Sequence, residues 1–144
     1  MLFEGHIQSG VVKIEGEDTQ YVNKLENRYP FVGSKIDWKE VPDSLDFNLM
    51  SLKASKVAYE ITLKEGFNKI YNTIREMGYK DEYEIVIIGD NIFDVALRMS
   101  LGKLPQMYQE LFELPQHTYI IPPDASWCIN YTFEDYLYFG VAPK

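Results

Sequence analysis

The sequence has few of the residues from which catalytic and metal sites are usually built. Among its 144 residues there is one cysteine, Cys128, and there are two histidines, His6 and His117. A single cysteine cannot form an internal disulfide, so the fold needs no oxidising compartment. A structural zinc site needs four ligands at recognisable spacing, and the sequence contains neither a CxxC nor an HExxH motif. We therefore expect no metal and no cofactor.

Long apolar runs and nucleotide-binding glycine motifs are also missing. No apolar run approaches the roughly 18 residues that a membrane-spanning helix requires. The opening MLFEGHIQSG lacks the charged and hydrophobic blocks of a signal peptide. P-loop, GxGxxG and GxSxG patterns do not occur, and VGSKI at 32–36 lacks the second glycine of a nucleophile elbow. These absences predict a cytoplasmic protein and argue against the enzyme classes that carry such motifs.

Basic residues are scarce relative to acidic ones. The chain has 14 Lys and Arg against 22 Asp and Glu, a formal net charge of -8. Such a charge repels nucleic acid and favours a basic partner. It also keeps a protein soluble, whatever its partners. We expect neither a nucleic-acid nor a membrane partner, and the oligomeric state stays open.

Aromatic side chains are abundant. They make up 15% of the sequence, with 11 tyrosines, and hydrophobic residues reach 46%. The length suits a single domain over residues 1–144 that builds its core without disulfide or metal support. The aromatic content exceeds what a minimal core needs, so we expect part of it at the surface.

The N-terminal third carries weak secondary-structure signals. The β-branched run at 11–14, followed by a glycine and acidic turn at 15–18, indicates either a short strand or an N-terminal arm within residues 1–28. Two prolines and a glycine break any long element over residues 29–44. That segment is interpreted as a loop around a short strand.

A helix is predicted over residues 63–77. Thr62 followed by Glu65 is typical of a capping box, apolar side chains then recur at helical spacing, and Gly78 supplies a stop. The secondary structure of residues 51–62 is left undecided. They fit either an extension of the same apolar stripe or a strand.

The second half of the chain predicts a sheet with one more helix. Residues 83–90 form an apolar run typical of a strand buried on both faces, and residues 93–99 fit a strand or a helix. A helix is expected over 103–113, and a three-stranded meander over 117–141. We therefore predict a single α+β domain with a mainly antiparallel sheet, on one face of which the two main helices pack.

His117 and Cys128 lie on either side of a Pro-Pro-Asp turn. If the loop is the four residues 122–125, Tyr119 pairs with Cys128, and His117 and Cys128 are diagonal neighbours on one face. A loop one residue longer or shorter places them on opposite faces. A thiolate nucleophile also needs a base, an orienting group and oxyanion donors, which the sequence does not supply. We therefore favour a buried structural cysteine, and a histidine that bonds locally at a strand end.

The most enzyme-like feature is the Gly-Asp pair that closes the apolar run at 83–90. Asp90 stands where open α/β sheets place ligands, and Asp94 adds a second carboxylate. Ordinary turn chemistry also explains Gly-Asp-Asn after a strand, and this interpretation is favoured. The alternative function is a small hydrolase or ligand-binding protein with a site around Asp90, Asp94 and His117.

Acidic and aromatic residues that cluster in the last third of the chain are the candidate partner-binding residues. A solvated surface explains each acidic cluster singly. Tyrosines beside carboxylates, however, are typical hot spots for a basic partner. The nominated residues are Glu134, Asp135, Tyr136, Tyr138, Glu110 and Glu113.

The stretch ELPQHTYIIPPDASWCINYTFEDYLYFG, residues 113–140, resembles a motif block of small acidic bacterial proteins. These are immunity proteins of contact-dependent growth inhibition and related polymorphic toxin systems. LPQHTYIIP and DASWC are its specific parts, IIGD upstream fits the same layout, and the resemblance covers roughly 83–140.

The resemblance implies a non-enzymatic inhibitor, with no catalytic residues, that binds a toxin domain. Such a domain is commonly a basic nuclease, and the inhibitor blocks its active or substrate-binding surface. Five residues of the block would fix the hairpin rather than contact the toxin: Gln116, His117, Asp124, Trp127 and Cys128.

Overall fold

The computed structural model describes residue 10 and residues 12–89, 95–114 and 117–143. The helices are α1 (Thr19–Arg28), α2 (Lys56–Glu76) and α3 (Leu104–Glu113). The strands are β1 (Lys13–Glu17), β2 (Phe31–Val32), β3 (Lys35–Ile36), β4 (Leu45–Asn48), β5 (Glu84–Gly89), β6 (Val95–Ser100), β7 (Thr118–Ile121), β8 (Trp127–Tyr131) and β9 (Tyr136–Val141).

One antiparallel sheet organises the described part of the chain. Its strand order is β1-β6-β5-β7-β8-β9-β4, while β2 and β3 form a separate small hairpin. The α+β class, the single domain and the C-terminal meander of β7, β8 and β9 are confirmed. Residues 93–99, left open between strand and helix, contribute to strand β6 from residue 95 onwards.

Both faces of the central strands are covered. Successive side chains of a strand point to opposite faces, so each strand contributes to two packed layers. On one side, the α2/α3 face, Ile87 and Ile129 pack with Phe67 of α2. On the other side, the α1 face, Ile88 and Cys128 pack with residues of α1 and of 29–44. This double burial explains why β5 has a continuous apolar sequence.

Helix α2 begins earlier than the capping box predicts. Ser55 caps it, with its side-chain oxygen accepting from the Ala58 N–H at 3.4 Å, so Thr62 lies inside the helix and the start predicted at residue 63 is wrong. The open segment 51–62 therefore contains helix from Lys56 onwards. Gly78, with φ +102°, ends the helix as expected. Helix α3 matches its prediction closely, and α2 and α3 share one face of the sheet.

Residues 1–28 were expected to hold an arm or a short strand, and the described part contains a strand and a helix. Strand β1 includes residues 15–17 of the predicted turn, with a bulge between Ile14 and Gly16, which has φ +131°. Helix α1 follows and was not predicted. Only Tyr21 and Leu25 of α1 are buried, and its other residues are mostly polar, so the helical signal in the sequence is weak.

Segment 29–44 covers the α1 face beyond the end of α1. It contains the β2–β3 hairpin and a 3₁₀ turn at Trp38–Glu40, which agrees with a loop around a short strand. Trp38 and Val41 are buried against the sheet. A Cβ on Gly140 of β9 would lie 2.8 Å from the Trp38 ring, so this glycine allows the segment to approach the sheet closely. No helix of the described residues is long and apolar enough to cross a membrane.

Candidate functional site

The pairing of β7 with β8 shows whether His117 and Cys128 are neighbours. Tyr119 pairs with Asn130, not with Cys128, so the register is shifted by two residues from the one that a four-residue loop predicts. An even shift keeps both side chains on the α1 face. If this register is continued to His117, however, the position opposite His117 lies four residues along the strand from Cys128, which is about 13 Å. The predicted diagonal contact between His117 and Cys128 is therefore wrong, because the turn is wider than residues 122–125.

Cys128 has the environment of a structural residue. Its side chain is fully buried, and this burial raises the pKa of the thiol well above its usual value. A buried thiol in apolar surroundings stays protonated and is a poor nucleophile. These observations favour the structural interpretation of Cys128.

His117 holds the start of β7 to the β8–β9 turn. It is buried, and its Nδ1 accepts a hydrogen bond from the Phe133 N–H at 3.3 Å. Its Nε2 lies 3.9 Å from Oε1 of Glu134. The local hydrogen bond expected at this strand end is therefore present, and it brings His117 close to one of the nominated acidic residues.

A cleft of about 780 Å³ opens on the α1 face beside this contact. Its floor carries Asn130 of β8 and Tyr136 and Tyr138 of β9, and its wall is residues 35–44. Helix α1 lies over another part of the same face, where Val22 and Leu25 border Ile88 of β5 and Tyr119 of β7. The cleft therefore lies at the end of this face that α1 does not reach, between the sheet and the segment of 29–44.

Three aromatic rings form a stack in the cleft. Trp38 lies on Tyr138 with ring centroids 5.4 Å apart at 6°, and Tyr136 continues the arrangement at 5.9 Å and 11° from Tyr138. Trp38 Nε1 donates to Oδ1 of Asn130 at 3.0 Å, and Nδ2 of Asn130 donates to the Thr118 carbonyl at 3.0 Å. These bonds satisfy the buried amide and hold the aromatic stack in place without a ligand.

Acidic side chains surround the aromatic stack. Asp37, Asp43, Asp46 and Glu134 line the cleft, against two lysines. Lys35 Nζ donates to Oε2 of Glu134 at 3.1 Å, and this bond holds the pKa of Glu134 below its usual value. No ion pair involves Asp37, Asp43 or Asp46 within the described ranges.

The tyrosine at the centre of the stack lies in a negative environment. Burial raises the pKa of Tyr138, and interactions with Tyr136 and with the charges of Asp46 and Glu134 raise it further. Burial is the main cause, and the two carboxylates add a smaller contribution of the same sign, as expected beside negative charge.

The structure brings together three of the six nominated residues. Glu134, Tyr136 and Tyr138 line the cleft. Asp135, at φ +66°, instead accepts from the Tyr131 hydroxyl at 2.7 Å, which belongs to the α2/α3 face, and lies 3.6 Å from Lys53 Nζ. Glu110 and Glu113 belong to α3, the helix that packs on the α2/α3 face, and do not line the cleft. The nominated set therefore divides between two surfaces.

Sequence reasoning missed the other half of the cleft. Asp37, Trp38 and Asn130 were not nominated, and neither was Asp46, whose neighbours Leu45 and Phe47 point to the opposite face. The alternation of β4 is legible in the sequence. Its pairing with β9 across about ninety residues is not, and this pairing brings Asp46 opposite Tyr138.

The alternative site cannot be assembled from the described residues. Asp90 and Asp94 lie outside them, as do His6 and Gln116. Within the described ranges, no group of three or more His, Cys, Asp and Glu residues is arranged to hold a metal ion. His117 alone of the alternative set has a described environment, and it lines the cleft.

No protein-family model matches the chain, and no curated protein matches it either. The resemblance to immunity proteins over residues 83–140 therefore stays a prediction. The geometry of the cleft is the basis on which a function can be argued.

Proposed function

We propose that this protein is a non-enzymatic acidic immunity protein that binds a cognate toxin domain, a basic nuclease, and covers its active or substrate-binding surface. The observation that carries the proposal is the cleft on the α1 face, where carboxylates surround an ordered aromatic stack. The net charge of -8 gives the whole chain the same preference for a basic partner.

The cleft combines two features of protein-binding hot spots. Aromatic anchors supply large contact areas, and the bonds of Asn130 hold the aromatic stack before a partner arrives, which lowers the ordering cost of association. Beside the cleft, Phe133 at the β8–β9 turn is 61% exposed and adds apolar area. Carboxylates at such a surface steer a basic partner and speed its association.

The resemblance supplies what the cleft does not, namely the class of partner. Immunity proteins act by occupying a toxin, so they need a stable complementary surface and no catalytic group. The chain's acidic balance suits a toxin whose own surface binds nucleic-acid phosphates. Electrostatic complementarity of this kind governs the association rate more than the final affinity.

The test uses the protein encoded next to this one, expressed with and without it. We expect the chain to restore growth of cells that produce the toxin, and to bind the purified toxin with an association rate that falls as salt rises. Absence of both binding and protection would remove the proposal.

A charge-matched pair of variants locates the binding face. Asp37→Asn with Asp46→Asn removes two carboxylates of the cleft. Glu65→Gln with Glu76→Gln removes two exposed carboxylates of α2, on the other side of the sheet. We expect the first pair to slow association at low salt by several-fold and the second to leave it nearly unchanged. Equal effects would show that only the net charge matters.

A small hydrolase or ligand-binding protein is the second candidate. It is favoured by the position of His117 in the cleft, close to Glu134, and by a volume within the roughly 300–1,000 Å³ of small-ligand sites. Its test is substitution of Asp90, Asp94 and His117 one at a time, followed by a hydrolase and ligand screen. A screen that detects no change in any of the three variants would eliminate this candidate.

A further inference from the structure

We propose that the cleft receives one arginine side chain of the partner, with its guanidinium stacked on Tyr136 and hydrogen-bonded to the carboxylates beside it. The identification of the partner as a protein rests on the function proposed above. The preference for a guanidinium rests on the cleft alone, and the two can fail separately.

The aromatic stack gives the arginine its platform. Trp38, Tyr138 and Tyr136 lie nearly parallel, and Tyr136 is the half-buried outer ring of the three. A guanidinium is planar and weakly hydrated, so it stacks on an aromatic face more readily than an ammonium does. It would extend an arrangement that the protein already contains.

Carboxylates line the same cleft as the aromatic stack and can accept hydrogen bonds from the arginine. Asp46 of β4 pairs directly with Tyr138 of β9, so its side chain lies on the α1 face next to the aromatic stack. Asp37 and Asp43 belong to the segment of 35–44 that forms the wall of the same cleft. Paired acceptors suit the two parallel donors of a guanidinium better than a single ammonium.

The charges of the cleft also argue against other occupants. Lys35 already binds Glu134, which leaves Lys39 against the three aspartates Asp37, Asp43 and Asp46. The remaining charge of the cleft is therefore negative, and a phosphate or carboxylate ligand would be repelled. An apolar ligand would form no hydrogen bonds with the aspartates, whereas a guanidinium can donate to them.

The binding test uses Nα-acetyl-arginine amide as the probe, with the lysine and citrulline amides as controls. The indole N–H resonance of Trp38 reports on the cleft because it is bonded to Asn130 beneath the aromatic stack. We expect a saturable shift at millimolar arginine amide and at least about fivefold weaker binding of the other two. Lysine amide that binds as tightly as arginine amide would overturn the preference for a guanidinium.

Variants distinguish a loss of the aromatic platform from a loss of the fold. Tyr136→Ala should weaken the binding of arginine amide by about three- to tenfold, and Tyr136→Phe should retain it within about twofold. Asp46→Asn should weaken it several-fold. Glu65→Gln is the matched control and should change nothing. Unchanged binding to Tyr136→Ala would overturn the proposal. Thermal unfolding of each variant shows that a loss of binding is not a loss of fold.

The same variants distinguish this proposal from the function on which it rests. A toxin that binds Tyr136→Ala with wild-type affinity would remove the arginine site from the interface and leave the immunity function intact. If the cleft binds arginine amide but the chain neither binds nor neutralises the adjacent toxin, the arginine site is retained and the immunity function is removed.

Discussion

Two neighbouring rows of side chains cross the sheet and end differently. On the α2/α3 face every member of one row is apolar: Ile87, Ile120, Ile129, Phe139 and Leu45. On the α1 face the adjacent row begins apolar and becomes polar: Ile88, Tyr119, Asn130, Tyr138 and Asp46. The same strands thus build a core with one set of residues and a cleft with the next.

The difference follows from the length of what covers each face. Helix α2 has 21 residues and, with α3, spans the sheet, whereas α1 has 10 and leaves the β9 and β4 end to the loop of 29–44. Polar side chains on a sheet surface without a helix above it are free to bond to water or to a partner. Stability and recognition are therefore separable on β8 and β9, and substitutions can test that separation.

The largest expected effect is on the α2/α3 face. Phe67 is fully buried and stacks on Tyr108 with centroids 4.0 Å apart. Phe67→Ala should lower the free energy of unfolding by about 3–5 kcal/mol, because it leaves a cavity in a closed core. Urea denaturation measures this loss. The matched substitution on the α1 face, Tyr136→Ala, should cost less than half as much, and equal costs would contradict the separation.

A smaller effect is expected where the cleft meets the core. Asn130→Ala removes the acceptor of Trp38 Nε1 and the donor to the Thr118 carbonyl. Leaving buried groups unpaired should cost about 1–3 kcal/mol and should loosen the aromatic stack. Denaturation gives the energy, and a shifted, broadened indole resonance of Trp38 reports the stack. A stability loss with an unchanged resonance would mean that Asn130 does not hold the stack.

The two rows also differ in how well the sequence predicts them. The apolar residues of β5 and β8 and the spacing of α3 indicated the core, because burial leaves a local pattern of period two or 3.6. The capping box misplaced the start of α2, since Ser55 offers an equivalent cap seven residues earlier. Local chemistry thus identified an element and missed its boundary.

The cleft was predicted only in part, because its residues come from distant segments. Glu134, Tyr136 and Tyr138 were found from one hairpin, whereas Asp46 and Trp38 reach them only through long-range pairing and loop packing. Helix α1 was missed since its apolar stripe is narrow. Polar residues that line a cleft carry no period of their own, so their role depends on which part of the sheet lacks a helix above it.

Substitution of Asp135 tests whether the β8–β9 turn contributes to stability on the α2/α3 face. Asp135→Ala should cost about 1–2 kcal/mol, because it removes the acceptor of the Tyr131 hydroxyl and places alanine at a positive φ. Asp135→Asn keeps an acceptor oxygen and tolerates that φ, and it loses only the ion pair with Lys53, so its cost should stay below about 0.5 kcal/mol. Thermal unfolding compares the two. Equal losses would show that the charge pair with Lys53 matters more than the hydrogen bond.

The smallest effect is the pH dependence of Glu134 on the cleft side. Its pKa is lowered in the fold by the bond from Lys35, so its stabilising contribution is present above the unfolded value of 4.5 and disappears as pH falls through the lower folded-state pKa. Because Glu134 is 47% exposed, the contribution should be only about 0.2–1 kcal/mol. Glu134→Gln should therefore lower stability slightly at pH 7, and the gap from wild type should close below the folded-state pKa and in high salt. A gap of the same size at low pH would show that packing, not charge, explains the contribution of Glu134.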